Sequence, residues 1–167
     1  MLAEEAVEAT SEPSPVELPV PKSVLKQHFQ TALETRLNAR WTKAKTAAQS
    51  RTFWPCIDLA KSQQLLQWDR PTFTKCIRFF TGHNNLNSHR TKTKETDDDT
   101  CRLCLEGIES SEHLLCQCVD LTTLRSRAVG QPILPNPTEF SRIPLSDVRL
   151  FILLICQRLQ EEGLEEI

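Results

Sequence analysis

Apolar positions recur along this chain with the period of a helix, and no stretch alternates as paired strands require. Leu25, Phe29, Leu33, Leu37 and Trp41 stand four apart, a stripe that winds slowly round its cylinder and calls for a long partner. Ser23 is placed to cap this helix, which is expected to run to about Ala48 with Lys26, Arg36, Arg40 and Lys43 on its other side. Phe53-Trp54-Pro55 breaks the pattern, because the residue before proline is pushed out of the helical region. A short helix after Asp58 has Leu59, Leu65, Leu66 and Trp68 on its apolar side. Asp69-Arg70-Pro71 starts the next one, with Phe73, Cys76, Ile77 and Phe80 facing inward and Gly82 as its stop. A further short helix is expected from Leu86 to about Lys92. In the last, Ser146 and Asp147 cap a stripe of Val148, Phe151, Ile152, Ile155 and Leu159 that runs through Gln160.

The expected fold is therefore mostly α: a small helical domain with a structural metal-binding loop. Residues 1–22 read either as disordered or as the end of a helix followed by a proline-punctuated linker, TSEPSPVELPVPK. Residues 23–130 form the helical domain, ending at Val129-Gly130. Residues 131–167 read as a linker marked by Pro132, Pro135 and Pro137, then the C-terminal helix. The apolar run from Leu150 to Cys156 is too short to span a bilayer.

Candidate chemistry concentrates in CRLCLEGIESSEHLLCQC, residues 101–118, which holds four of the seven cysteines and one of the four histidines. Cys101 and Cys104 form a C-x2-C pair, which brings two thiolates onto one ion from a tight turn; His113 and a later cysteine can close a tetrahedron. Three sulfurs and an imidazole suit Zn²⁺, whereas calcium and magnesium want oxygen. The intervening Glu106, Glu109, Ser110, Ser111 and Glu112 are polar, unlike a run of cysteines packed in a core. Cys116 and Cys118 compete for the fourth position. If Ser110 or Ser111 caps a short helix, Cys118 reaches the metal only where that helix ends; the motif spacing favours Cys118. Four protein ligands leave no open coordination position, so the expected role is structural. His83 and His89 have no cysteine or acid at ligand spacing and read as surface histidines. Asp97, Asp98 and Asp99 read as a solvated turn.

Charge changes the picture further. The net charge of −2 hides a basic middle: between Lys22 and Lys94 there are fourteen Lys and Arg residues against three acids, while the first twenty residues carry five glutamates and no base. Eight of the ten aromatics fall in the same basic region. Cations interleaved with rings suit single-stranded nucleic acid, although rings at helical spacing also fill cores. An odd number of cysteines, grouped for metal, and an acidic N-terminus without an apolar core point to an intracellular protein of the nucleus or cytoplasm, with no membrane partner.

The order of features, SQQLLQWDRPTFTKCIRFFTGH, then LNSHR, then DDDTCRLCLEGIESSEHLLCQC, then an arginine-bearing helix ending in glycine, resembles one region of a known polyprotein. It is similar to the C-terminal tail of the reverse transcriptase polyprotein of non-long-terminal-repeat retrotransposons of the Jockey and I type. The likeness covers roughly residues 20–130, and TGH with the C-x2-C-x8-H-x4-C array are its most specific parts. MLAEEAVEA is similar to the last helix of the RNase H domain that precedes this tail. The resemblance implies a zinc-binding accessory region, associated with the parent polymerase and RNase H domains but lacking their catalytic carboxylates.

Two functions follow as expectations. In the first, a zinc-stabilised, non-catalytic module binds RNA or DNA, with Lys26, Arg36, Arg40, Lys43, Lys45, Arg78, Arg90, Lys92 and Lys94 meeting phosphate. In the second, the zinc site supports a protein-interaction or structural module. A Cys–His nucleophile, Cys76 or Cys116 with His113, has no apparent orienting third group.

Overall fold

The computed structural model describes residues 20–164; the expected N-terminal helix remnant and most of its linker lie outside them. The described residues form helices and turns, with no strand, and no helix among them is long and apolar enough to cross a membrane. Helix α1 spans Lys22–Lys43. It starts on the carbonyl of Pro21, which accepts from the N–H groups of Val24 and Leu25, so Ser23 lies inside the helix instead of capping it. The chain divides after Leu33. Up to that point the expected apolar stripe is exposed: Leu25 at 46%, Phe29 at 75% and Leu33 at 49%.

From Glu34 onward the chain makes one compact unit, and the C-terminal helix belongs to it. The first helix ends at Lys43, short of the expected Ala48. Ala47 takes a left-handed conformation, φ 62°, and a separate helix α2 follows at Ala48–Phe53. Tertiary contacts account for the break, because the Trp41 indole N–H donates to the Trp54 carbonyl at 2.8 Å. The Arg51 guanidinium, in turn, donates to the carbonyls of Trp41 and Thr46. Anchoring of this kind overrides a local helical preference.

Helices α3, Leu59–Leu65, and α4, Arg70–Thr81, start on aspartate caps: Asp58 accepts from Lys61 N–H at 2.9 Å and Asp69 from Thr72 N–H at 3.0 Å. Pro71 sits in the first turn of α4, and Gly82, at φ 74°, closes it by donating to the Arg78 carbonyl. The buried face of α4 is Thr72, Cys76, Phe79 and Phe80, rotated from the expected stripe so that Phe79 is enclosed while Phe73 and Ile77 are half-buried. Helix α5 covers Asn87–Lys92 and α6 Thr122–Val129.

Residues 131–144 are more than a linker. Leu134 and Phe140 are fully buried, the latter on a 3-10 turn at Pro137–Arg142. Helix α7, Leu145–Glu161, begins after Pro144, whose carbonyl accepts from the N–H groups of Asp147 and Val148; Ser146 bonds Asp147 within the first turn instead of capping it. All five expected stripe residues of α7 are buried, together with Leu145 and Cys156. The core centres on rings: Phe53 meets Phe80 and Phe140 edge-on, each at 5.7 Å between centroids, and Trp54 meets Phe80 at 5.4 Å.

Candidate metal centre

The loop that carries the first two cysteines is closed by one antiparallel bridge between Thr100 and Ile108. Within it, Cys101 donates to the Gly107 carbonyl at 3.0 Å and Leu105 to the Cys101 carbonyl at 2.9 Å. Leu105 and Gly107 both take positive φ, 57° and 66°. At Gly107 a side chain would be strained and would face the His113 ring at 3.4 Å. The Glu106 N–H points at the Cys104 sulfur, 3.4 Å away.

The second half of the site comes from a short helix. Ser110 caps it, its Oγ accepting from the His113 N–H at 3.1 Å. The turn then widens into a π-helix over His113–Gln117, and the Cys118 N–H donates to the His113 carbonyl at 2.7 Å. This answers how a residue five positions on can share a ligand sphere with His113. In an α-helix it would stand about 140° round the cylinder. The wider turn, followed by extended backbone at Cys118 (φ −52°, ψ 123°), brings it back.

Cys101, Cys104, His113 and Cys118 thus converge: their ligand atoms all lie within 4.8 Å of one another, and Cys104 Sγ is 3.2 Å from His113 Nε2. Tetrahedral coordination by sulfur and nitrogen separates its ligand atoms by roughly 3.3–3.8 Å. The cluster is close to that size and could hold a metal ion. Cys101 and Cys118 are fully buried; Cys104 and His113 are half-buried. Cys116 is not among them. It is fully buried in the hydrophobic core, where burial pushes its thiol up to about 12. The structure therefore assembles the set with Cys118 as its fourth member.

Crowding three thiols in one place gives them unequal acidity. The Cys101 thiol is held down at about 5, chiefly by a hydrogen bond from Cys118 against the opposing effect of burial. Cys118 is pushed up for the same reason, its hydrogen bond to Cys101 first and then burial, and Cys104 is raised by burial. A metal would take all three as thiolates, so loading the site with a cation displaces protons.

Two buried charged groups frame the site, and neither was singled out as a framing group by spacing. The Glu109 carboxylate is fully buried and accepts from Arg102 Nε and Nη2, from the Arg102 backbone N–H at 2.7 Å and from the Asn87 N–H at 3.2 Å. Asn87 also donates to the Thr100 carbonyl at 2.9 Å, and Asn84 to Ser111 Oγ at 2.8 Å, tying the start of α5 and the turn before it to the loop. On the other side Arg125 of α6 is fully buried. It donates to the carbonyls of Leu114, Leu115, Cys118 and Pro132 at 2.6–3.1 Å, and its guanidinium lies over the Phe151 ring at 5.6 Å. No carboxylate is among these partners. Burial lowers its pKa, an effect the neighbouring Cys116 and Cys118 oppose. Only the opposite charges of Arg102 and Glu109 within one loop hinted at the first group; a lone arginine in a helix gives no sign of the second.

The nine candidate phosphate-contacting residues lie on separate elements. Lys26, Arg36, Arg40 and Lys43 are exposed on α1, and Lys45 is exposed just after it. Arg78 is exposed on α4 and, with His83, Asn85 and His89, lines an open polar recess; the two histidine rings meet edge-on at 5.6 Å. Arg90 is half-buried and paired with Glu95 at 3.7 Å, while Lys92 and Lys94 are exposed. Asp98 accepts from the Thr100 N–H, and the Thr100 side chain, followed by this backbone hydrogen bond, holds its carboxyl below the usual range. Cys76, like Cys116, is buried with its thiol pushed up to about 12 by desolvation, which keeps it a neutral, unreactive core group. Compared with known proteins, the chain matches no family model, no curated protein and no solved structure.

Proposed function

We propose that Cys101, Cys104, His113 and Cys118 bind one structural Zn²⁺ and that the stapled helical unit is a non-catalytic nucleic-acid-binding module. The convergence of three sulfurs and one imidazole nitrogen within 4.8 Å carries the reading. Soft and borderline donors of this kind favour zinc over calcium or magnesium, and a complete protein set favours a structural role. Three thiolates, a neutral imidazole and Zn²⁺ sum to one negative charge. Arg125, buried against the Cys118 carbonyl with no carboxylate partner, supplies the matching positive charge.

The nucleic-acid part rests on the exposed run Arg36, Arg40, Lys43 and Lys45 and on Arg78, Lys92 and Lys94. It also rests on the resemblance to the tail of Jockey- and I-type retrotransposon polyproteins, where such a module would serve the neighbouring polymerase and RNase H domains inside the cell. Binding of a labelled RNA or DNA strand should weaken steeply between low and physiological salt, as counterion release requires. Salt-independent binding, or none, contradicts the proposal. RNA cleavage within an RNA–DNA hybrid by the pure protein would contradict the non-catalytic role.

One observation favours a second reading, a protein-interaction module. Val24, Leu25, Phe29 and Leu33 expose apolar surface along the first half of α1. Recovery of a protein partner that survives nuclease treatment and is lost in Phe29→Glu would support it.

A further inference from the structure

An apolar recess of about 260 Å³ opens between the end of α1, the segment after α2, and helices α3 and α4. Trp41, Trp54, Ile57, Leu65, Ile77 and Phe80 make its walls. The walls are held from outside. Trp41 is tied through its indole N–H to the Trp54 carbonyl, Trp54 stands edge-on to Phe80, and the Ile57 N–H donates to Asn38 Oδ1 at 2.7 Å. The Lys61 ammonium lies 5.1 Å from the Trp54 ring centre and donates to the Ser141 carbonyl. The recess is therefore formed before anything enters it, so little ordering is charged against a ligand.

Its size and surroundings narrow the occupant. Pockets for drug-sized ligands run to ~300–1,000 Å³, so this one has room for a single small ring system. Cations accompany its walls: Lys61 is part of the lining, Arg51 lies 6.0 Å from the Trp41 ring, and Arg40, Lys43 and Lys45 are exposed within four residues of Trp41 in the chain. The one acid in the lining, Asp58, already caps α3. An apolar peptide side chain would have no use for those cations, whereas an aromatic ring joined to a phosphate uses both features. In a duplex the base faces are stacked away and cannot be offered.

We propose that this recess receives one unpaired nucleobase of a single strand, its flanking phosphates meeting Arg40, Lys43 and Lys45. The inference rests on the nucleic-acid reading above and names the form of nucleic acid it favours. Stacking a base on protein rings contributes ~1–3 kcal/mol and tolerates any base, so recognition here would be of strandedness and not of sequence.

The test uses the full zinc-loaded chain and three labelled probes of equal length: an oligo-deoxythymidine, the same backbone without bases, and a duplex. We expect the based single strand to bind at least tenfold more tightly than the abasic one and to quench tryptophan fluorescence, which the abasic strand leaves unchanged. Ser62→Trp, an exposed lining position, fills the recess; it should bring the two single strands to within about twofold while leaving abasic affinity unaltered. Equal binding of based and abasic strands by the unaltered protein overturns the base recess but leaves phosphate contact standing. Stronger binding of the duplex overturns it too. Binding of none of the three probes overturns both this inference and the nucleic-acid reading.

Discussion

Around Cys101 to Cys118 polar and ionisable groups are enclosed, Glu109, Ser111, Arg125 and the two buried ligand thiols, beside Leu114, Leu115 and Cys116. Around Phe53 the enclosed groups are rings and aliphatic chains, with Phe80, Phe140, Phe151 and Ile152. The second region needs nothing but its own packing, because apolar burial is favourable wherever shapes fit. The first holds its backbone with one bridge, a π-turn and side-chain hydrogen bonds, and packs three thiols close together with a histidine. On the proposed zinc reading, the order of the first part would depend on a bound ion and that of the second would not.

Chelation should separate the two most sharply. A structural zinc contributes folding free energy directly, so its removal is expected to cost several kcal/mol. Amide exchange should then accelerate across residues 99–118 while α4 and α7 keep most of their protection. Uniform loss of protection would show that the two regions fold as one unit.

The converse experiment is Phe53→Ala, which empties the centre of the ring cluster and should cost about 3–5 kcal/mol. Folded protein should still bind metal at full stoichiometry, read by titration with Co²⁺. Reduced metal affinity in the folded variant would couple the regions more closely than the packing indicates.

Arg125 joins the two, since it touches the Cys118 carbonyl on one side and the Phe151 ring on the other. Arg125→Met leaves four carbonyls, three of them buried, without their donor and should cost about 2–4 kcal/mol. If Arg125 is also the counter-charge, Zn²⁺ affinity falls about tenfold or more, and Arg125→Lys restores part of it. A purely structural role would lower stability without moving the affinity. Cys116→Ala is the mildest change, a small cavity worth about 1 kcal/mol, with metal binding unaltered.

How much could be read in advance differs between the same two regions. Helix α4 was legible almost whole, because Asp69, Pro71 and Gly82 act through local backbone chemistry. The inward stripe of α7 was legible because it keeps the helical period. The C-x2-C pair, His113 and the preference for Cys118 over Cys116 were legible from ligand spacing, but the π-turn that brings Cys118 round to the others was not, because it departs from the α-helical count. Leu134 and Phe140 hid among prolines that read as linker, and the break at 44–47 contains neither glycine nor proline. Arg125 escaped because a charged residue is ordinarily assigned to the outside, and only tertiary structure supplies its four carbonyls.

The most direct measurement is the mass of the natively purified protein, with the metal identified by elemental analysis. The account predicts one zinc per chain, kept in Cys116→Ala and lost in Cys118→Ala. A metal-free wild-type protein that stays folded, gains no zinc when the ion is added, and is indifferent to chelator would contradict it.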